Sequence, residues 1–276
     1  MTARVYRALI VDTFQEAMAR WLFWGLFALS SLLVLIFLFV LRIDLVQGAI
    51  SVTGVTGRSH QVEDIRHFVN ISYSWVSTTL YIWGTFVAVF ASSGLIPSVL
   101  EPGRISLLLS KPISRTTLLL GRYAGNLLVV LLNHLYLIGS IWIILGIKTG
   151  IWDTRFLLSI PVSLFAFSVL LCVVVLIGVM YESAALSTMS AIALMLISTI
   201  LAQRSFVLRL LDSEWSRQLW QALYWIVPKI FDLGNALRQI ILLDKDADLL
   251  TPVLTSAAFG LAVMLRAVYV FRRKDF

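Results

Sequence analysis

Charge is scarce in this 276-residue chain. Asp, Glu, Lys and Arg make up 13% of it, whereas hydrophobic residues make up 59% and the mean hydropathy is +0.92. Soluble domains carry about a quarter charged residues. A water-soluble fold of this length has too little interior for so much apolar surface, so lipid is the expected solvent. Cysteine is almost absent: Cys172 stands alone in VLLCVVVLIG, which excludes an internal disulfide and leaves a small core hydrophobe. The P-loop pattern is missing too. LGIKTG, Leu145 to Gly150, has a Lys-Thr pair without the glycines that must precede it, so nucleotide is not bound here through such a loop. No Asp, Glu or Lys lies in mid-span to relay protons or hold a driving ion, which argues against a secondary transporter. No nucleophile and base stand paired. His134, on the same run as Ser140 in NHLYLIGSIW, reads as hydrogen-bonded packing and not as a hydrolase centre, so no catalytic residue is assigned.

What remains is a set of long apolar runs. Six can span: Trp21 to Leu41, Tyr73 to Pro97, Tyr123 to Leu145, Phe156 to Met180, Ser183 to Ala202 and Thr251 to Phe271. About 20 residues at ~1.5 Å each cross a hydrocarbon core of roughly 30 Å. The expectation is an all-α polytopic membrane protein, a single transmembrane domain over residues 1–276. Only the sixth run holds a charge, Arg266, close enough to its end to snorkel. The first run is long and lacks a small-x-small site, so it reads as a retained span and not a cleaved signal. Twelve per cent aromatic residues, nine of them Trp, suit interfacial anchoring. The net charge of +7 is spread among apolar blocks, which speaks for membrane topology and not for nucleic acid.

Lys and Arg set the orientation. With the N-terminus inside, Arg4, Arg7, Arg20, Arg104, Lys111, Arg115, Arg122, Arg266, Arg272, Arg273 and Lys274 are cytoplasmic, against Asp12, Glu16, Glu101, Glu182 and Asp275. The opposite side is nearly balanced. Both termini are therefore expected in the cytoplasm.

Three segments are neither span nor short loop. Residues 1–20 read as an amphipathic interfacial helix. Arg42 to Ser72 is polar and rich in glycine at GAISVTGVTG, expected as part loop and part short helix. Residues 203–250 hold two amphipathic helices broken at Pro228, expected at or dipping into the outer face. In the third run Gly121 and Gly125, with Asn126, Asn133 and Ser140 at seven-residue spacing, make one face small and polar, suited to close helix packing. His60, Glu63, Asp64 and His67 in HQVEDIRH would share one face if helical, a grouping of metal-ligand type, but such loop pairs are usually solvated, and no metal site is assigned.

The most informative stretch is the loop over residues 98–122, LEPGRISLLLSKPISRTTLLLGR from Leu100. Pro102 and Gly103 break the chain, RISLLLS makes a short one-sided helix, Lys111-Pro112 stops it, and Ser114 stands ready to cap the next helix from Arg115. Glu-x-Gly, a Leu-rich turn, LLSKPISR and LLLGRY resemble the loop between the second and third spans of ABC transporter permeases of the type-2 exporter family, over about Gly94 to Gly125. The span plan, the N-terminal helix and the long segment before the last span agree along the whole chain, while Pro102 departs from the family's more helical approach.

The resemblance implies a permease subunit that pairs with a second copy or a related permease in the cytoplasmic membrane. It implies export driven by a separate ABC ATPase, which carries the ATP-Mg; this chain would hold no cofactor. Its coupling residues would be Glu101, Gly103, Arg104, Leu107, Leu108, Leu109, Lys111, Pro112, Ser114 and Arg115. Arg104, Lys111 and Arg115 would meet the ATPase's charges, and the leucines would fill its groove. The turn at Glu182 would lie nearby, and Tyr81, Trp83, Phe86, Ser187, Ser190 and Ser198 would approach the substrate. The alternative is a membrane scaffold or assembly factor whose basic loop docks a peripheral protein or lipid.

Overall fold

The computed structural model describes residues 2–19, 21–40, 42–46, 49–53, 59–62, 65–94, 97–100, 103, 114–204, 207, 213–243 and 247–274. It is a helical bundle with one small sheet. Among the described residues five helices are long and apolar enough to cross a membrane: Arg66–Ser93, Arg115–Thr149, Thr154–Tyr181, Ala184–Ala202 and Leu250–Arg273. The number rises to six if the N-terminal pair Arg7–Met18 and Phe23–Phe39, bent by 73°, is counted as one.

The chain opens with α1 (Thr2–Met18) and, after the bend, α2 (Trp21–Leu35), which continues as a π-helical turn, Ile36–Val40. Trp24 Nε1 donates to the Met18 carbonyl at 2.8 Å across the bend. Lys148 Nζ reaches the other end of this run and donates to the Phe37 and Leu38 carbonyls at 2.9 and 2.6 Å.

The polar segment after the first run departs from its expected loop-and-helix form. It makes an antiparallel sheet of β1 (Arg42–Val46), β2 (Ala49–Thr53) and β3 (Ser59–Val62), with Arg42 opposite Thr53 and Ile50 opposite Val62. The glycines suggest a loop, but RIDLV and AISVT alternate apolar and polar residues at period two, which suits strands. Helix α3 (Ile65–Thr79) then starts eight residues before Tyr73. It passes through a π-helical turn (Leu80–Gly84) into α4 (Thr85–Ser93), so the second span carries a bulge at its middle.

Helix α5 (Arg115–Thr149) has 35 residues, roughly 50 Å at ~1.5 Å each, and so projects past a hydrocarbon core of about 30 Å. A 3-10 turn (Thr154–Leu158) leads into α6 (Ser159–Tyr181), and Ser183 caps α7 (Ala184–Ala202) by accepting from the Leu186 N–H at 3.3 Å. Helices α8 (Glu214–Ile226) and α9 (Ile230–Leu243) flank Pro228, where the sequence places the break, and α10 (Leu250–Arg273) ends the bundle. The hub is α6. Phe167, Leu170, Leu171, Val174 and Val175 are fully buried on it, and it packs against α4, α5, α7 and α10. By contrast α7 and α10 are the least buried of the spans and turn most of their apolar surface outward.

Candidate coupling face and outer cavity

The start of α5 marks one end of the bundle, the base. Ser114 has extended backbone angles and its Oγ accepts from the Thr117 N–H at 3.1 Å, the cap that its position before Arg115 leads one to expect. The Arg115 guanidinium reaches the last turn of α10, donating to the Lys274 carbonyl and, at 3.3 Å, to the Arg272 carbonyl. A cation there meets the negative end of the helix dipole. Lys274 extends the belt: its Nζ donates to the Val179 carbonyl at 2.7 Å and pairs with Glu182. Glu182 ends α6 in a left-handed conformation with φ of 53°. The turn after α6 is thus joined to Arg115 through the C-terminal residues.

About two turns further along α5 lies a residue that the sequence marks only as a topology signal. Arg122 is 1% exposed, yet it pairs with Asp12 and, at 2.8 Å, with Glu16 of α1. Helix α1 reaches it because α5 is notched on the small face. A Cβ on Gly121 would come within 2.7 Å of Leu9, and one on Gly125 within 2.6 Å of Thr13. Asn133 continues the contact by donating to Ser30 of α2 at 3.1 Å. The small, polar face of the third span therefore packs against the N-terminal helices. Asp12 and Glu16, one turn apart on α1, with an arginine beside the glycine notch, are the sequence signal that leads to this site.

Glu16 has a second task. Its Oε1 accepts from Ser98 Oγ at 2.7 Å, and Ser98 lies in the 3-10 turn Pro97–Val99 that follows the second span. One carboxylate therefore bridges the segment that leaves the second span and the helix that becomes the third. Of the expected coupling residues, Gly103 is described and exposed, and Ser114 and Arg115 sit as above. Glu101, Arg104, Leu107, Leu108, Leu109, Lys111 and Pro112 lie outside the described residues.

At the opposite end, the top, the junction of α8 and α9 is fastened to two spans. Ser198 of α7 donates to the Pro228 carbonyl at 2.9 Å and accepts from the Phe231 N–H at 3.2 Å. Ser256 of α10 accepts from the Lys229 N–H at 2.9 Å. The Lys229 ammonium is buried 3.9 Å from the centre of the Trp225 ring and 4.3 Å from that of Tyr224. Burial pushes its pKa below that of an ordinary lysine, although the Asp232 charge opposes this. Tyr224 donates to Asp232 at 2.8 Å, and its phenol is pushed up to about 12 by burial, by that hydrogen bond and by the Asp232 charge.

Beside this junction a cavity of about 350 Å³ opens between the second span, α7 and α9. Tyr81, on the π-helical turn, lines it and donates to the Ile230 carbonyl. Two of the residues expected near a substrate, Tyr81 and Ser198, thus meet at the same junction. The other four do not join them. Trp83 is exposed, Phe86 packs edge-on to it, Ser187 bonds the Ser183 carbonyl of its own helix, and Ser190 is half-buried elsewhere on α7. His134 is buried and bonds the Val130 carbonyl one turn back, with no bond to Ser140. Among the described residues no cluster of three or more His, Cys, Asp or Glu could hold a metal ion; Glu63 and Asp64 lie outside them.

No family model matches this chain, and no curated protein matches it.

Proposed function

We propose that this chain is the transmembrane permease subunit of an ATP-driven exporter, receiving its energy from a separate ATPase that docks on the loop between the second and third spans. The base is then cytoplasmic and the top faces the opposite side of the membrane. The observation that carries the reading is the Glu16 bridge. Ser98 and Arg122 bracket the loop, and both hold the same carboxylate. A load applied to the loop passes into α1 and into both spans, since Arg122 is buried on the notched face of α5. The Arg115 belt carries the same load to α10 and to the turn at Glu182. The multi-span build and the resemblance of the loop to type-2 ABC permeases support the same assignment. With no P-loop in the chain, ATP chemistry falls to the partner. Two permease subunits and two ATPases would complete the machine, with ATP binding drawing the two loops together and hydrolysis resetting them.

The test is affinity purification of the tagged chain in mild detergent, beside a Lys111→Glu, Arg115→Glu double variant. An ABC-type ATPase that accompanies the wild type and is lost from the variant supports the reading. Because Arg115 also caps α10, a Lys111→Glu single variant and a melting curve separate lost docking from a loosened base. Wild-type purification that brings down no ATPase overturns the exporter and leaves the scaffold.

A further inference from the structure

The cavity beside the α8–α9 junction is built from three helix faces, and each has a reason to be there. The π-helical turn of the second span adds a residue to one turn of the helix and so re-aims its side chains, a device often found at functional sites. Here it carries Tyr81 to the Ile230 carbonyl. The Tyr81 ring lies so close to Gly234 that a Cβ there would come within 2.7 Å of it, which fixes the inner wall. On α9, Phe231, Asn235 and Arg238 are spaced four and seven residues along one face, and all three are exposed and line the cavity. Met195 of α7 faces them across the apolar side.

Among the described residues lining this cavity, Arg238 carries the only formal charge. The acid of the same helix, Asp232, is bonded to Tyr224 instead. A guanidinium beside a carboxamide, at one end of an apolar slot, suits a carboxylate or phosphate with a hydrocarbon tail. The volume of about 350 Å³ lies at the lower end of small-molecule sites. That volume suits one hydrocarbon chain more closely than two.

We infer that this cavity binds a single-chain amphiphile with an anionic headgroup, the head on Arg238 and Asn235 and the chain against Met195 and Phe231. That this is the exported substrate class rests on the exporter reading above; the binding site itself does not.

The experiment uses the purified full chain in phosphatidylcholine nanodiscs and dodecyl phosphate carrying a diazirine on its chain. Crosslinking is expected in the peptides around Met195 and around Phe231 to Arg238. It should be displaced by dodecyl phosphate and not by dodecyltrimethylammonium. Labelling should fall roughly tenfold in Arg238→Gln and partly return in Arg238→Lys, since a charge-assisted hydrogen bond is removed and then replaced by a point charge. Arg238 is exposed, so both variants should melt as the wild type does. Labelling that survives Arg238→Gln, or that the cationic amphiphile displaces equally, overturns the anionic site. Displacement by phosphatidylglycerol as effective as by dodecyl phosphate overturns the single-chain class. Crosslinking that behaves as expected, with no ATPase co-purifying, overturns the exporter and keeps the site; the converse overturns the site alone.

Discussion

At the base, Arg122 lies between Asp12 and Glu16, and Lys274 pairs with Glu182. At the top, the junction between α8 and α9 is held by the hydroxyls of Ser198 and Ser256 on main-chain groups, and by two aromatic rings over Lys229. The two kinds of fastening behave differently under load. A hydroxyl on a main-chain group is short-ranged and directional, so it holds a shape until it breaks. Charges attract over a longer distance, and a partner that brings its own charges can re-pair them. Asp12 is half exposed even while it pairs with buried Arg122. The base is therefore suited to being re-paired by a docking protein, and the top to keeping a cavity in register.

The largest expected break in this comparison is Arg122→Met. It removes the cation between Asp12 and Glu16 and should cost about 3 kcal/mol, the lower end for opening a buried pair, because Asp12 can turn to solvent and Glu16 keeps its bond to Ser98. Thermal unfolding in detergent reads the loss, and limited proteolysis should show α1 released first. Adding Asp12→Asn and Glu16→Gln should recover part of the stability, as expected when the damage is uncompensated charge. A variant as stable as the wild type would mean that the Gly121–Gly125 notch holds α1 without the ion pairs.

Ser198→Ala comes next and sharpens the contrast. It removes one partner from each of two main-chain groups, and should cost about 1–2 kcal/mol. Hydrogen exchange should rise in the first turn of α9 and leave α1 unchanged. Exchange that rises equally at both ends would show that base and top are not separate fastenings.

Much of this architecture can be read from the chain, because lipid imposes a simple rule on it. Runs such as Phe156 to Met180 and Thr251 to Phe271 must be helical to satisfy their own main chain, and the described helices match them within a few residues. Ser114 and Pro228 mark a cap and a break by local chemistry, and both stand where the sequence puts them. Tertiary partnership is harder to read. Arg122 beside the glycines and the two acids on α1 are each visible in the chain, but no local pattern pairs them across more than a hundred residues. The π-helical turn at Leu80–Gly84 leaves no trace in the apolar pattern, so Tyr81 reads as a wall of the pathway when its hydroxyl is bonded to α9. The sheet at Arg42–Val62 was hidden by its glycines, which read as loop although the residues between them alternate.

The smallest effect concerns the ion pair of Asp153 and Arg155 at the top, and it tests whether that end is insensitive to charge. Asp153 accepts from Arg155 at 2.7–3.1 Å just before α6, and also from the Arg155 main-chain N–H at 2.9 Å. Burial works to raise the Asp153 pKa, but the Arg155 hydrogen bonds and charge outweigh it and leave the carboxyl below its ordinary value. A carboxyl depressed in the folded state stabilises the fold above its unfolded pKa, and that contribution is lost as pH falls through the folded value. Arg155 is a third exposed, so solvent screening limits the pair to about 0.5 kcal/mol. Asp153→Asn keeps the main-chain cap and removes the charge. It should melt roughly 1–2 °C below the wild type at neutral pH. The gap should close in acid, below the carboxylate range. No gap at either pH value would assign the stabilisation to the cap, which the variant keeps, and would leave the ion pair without effect.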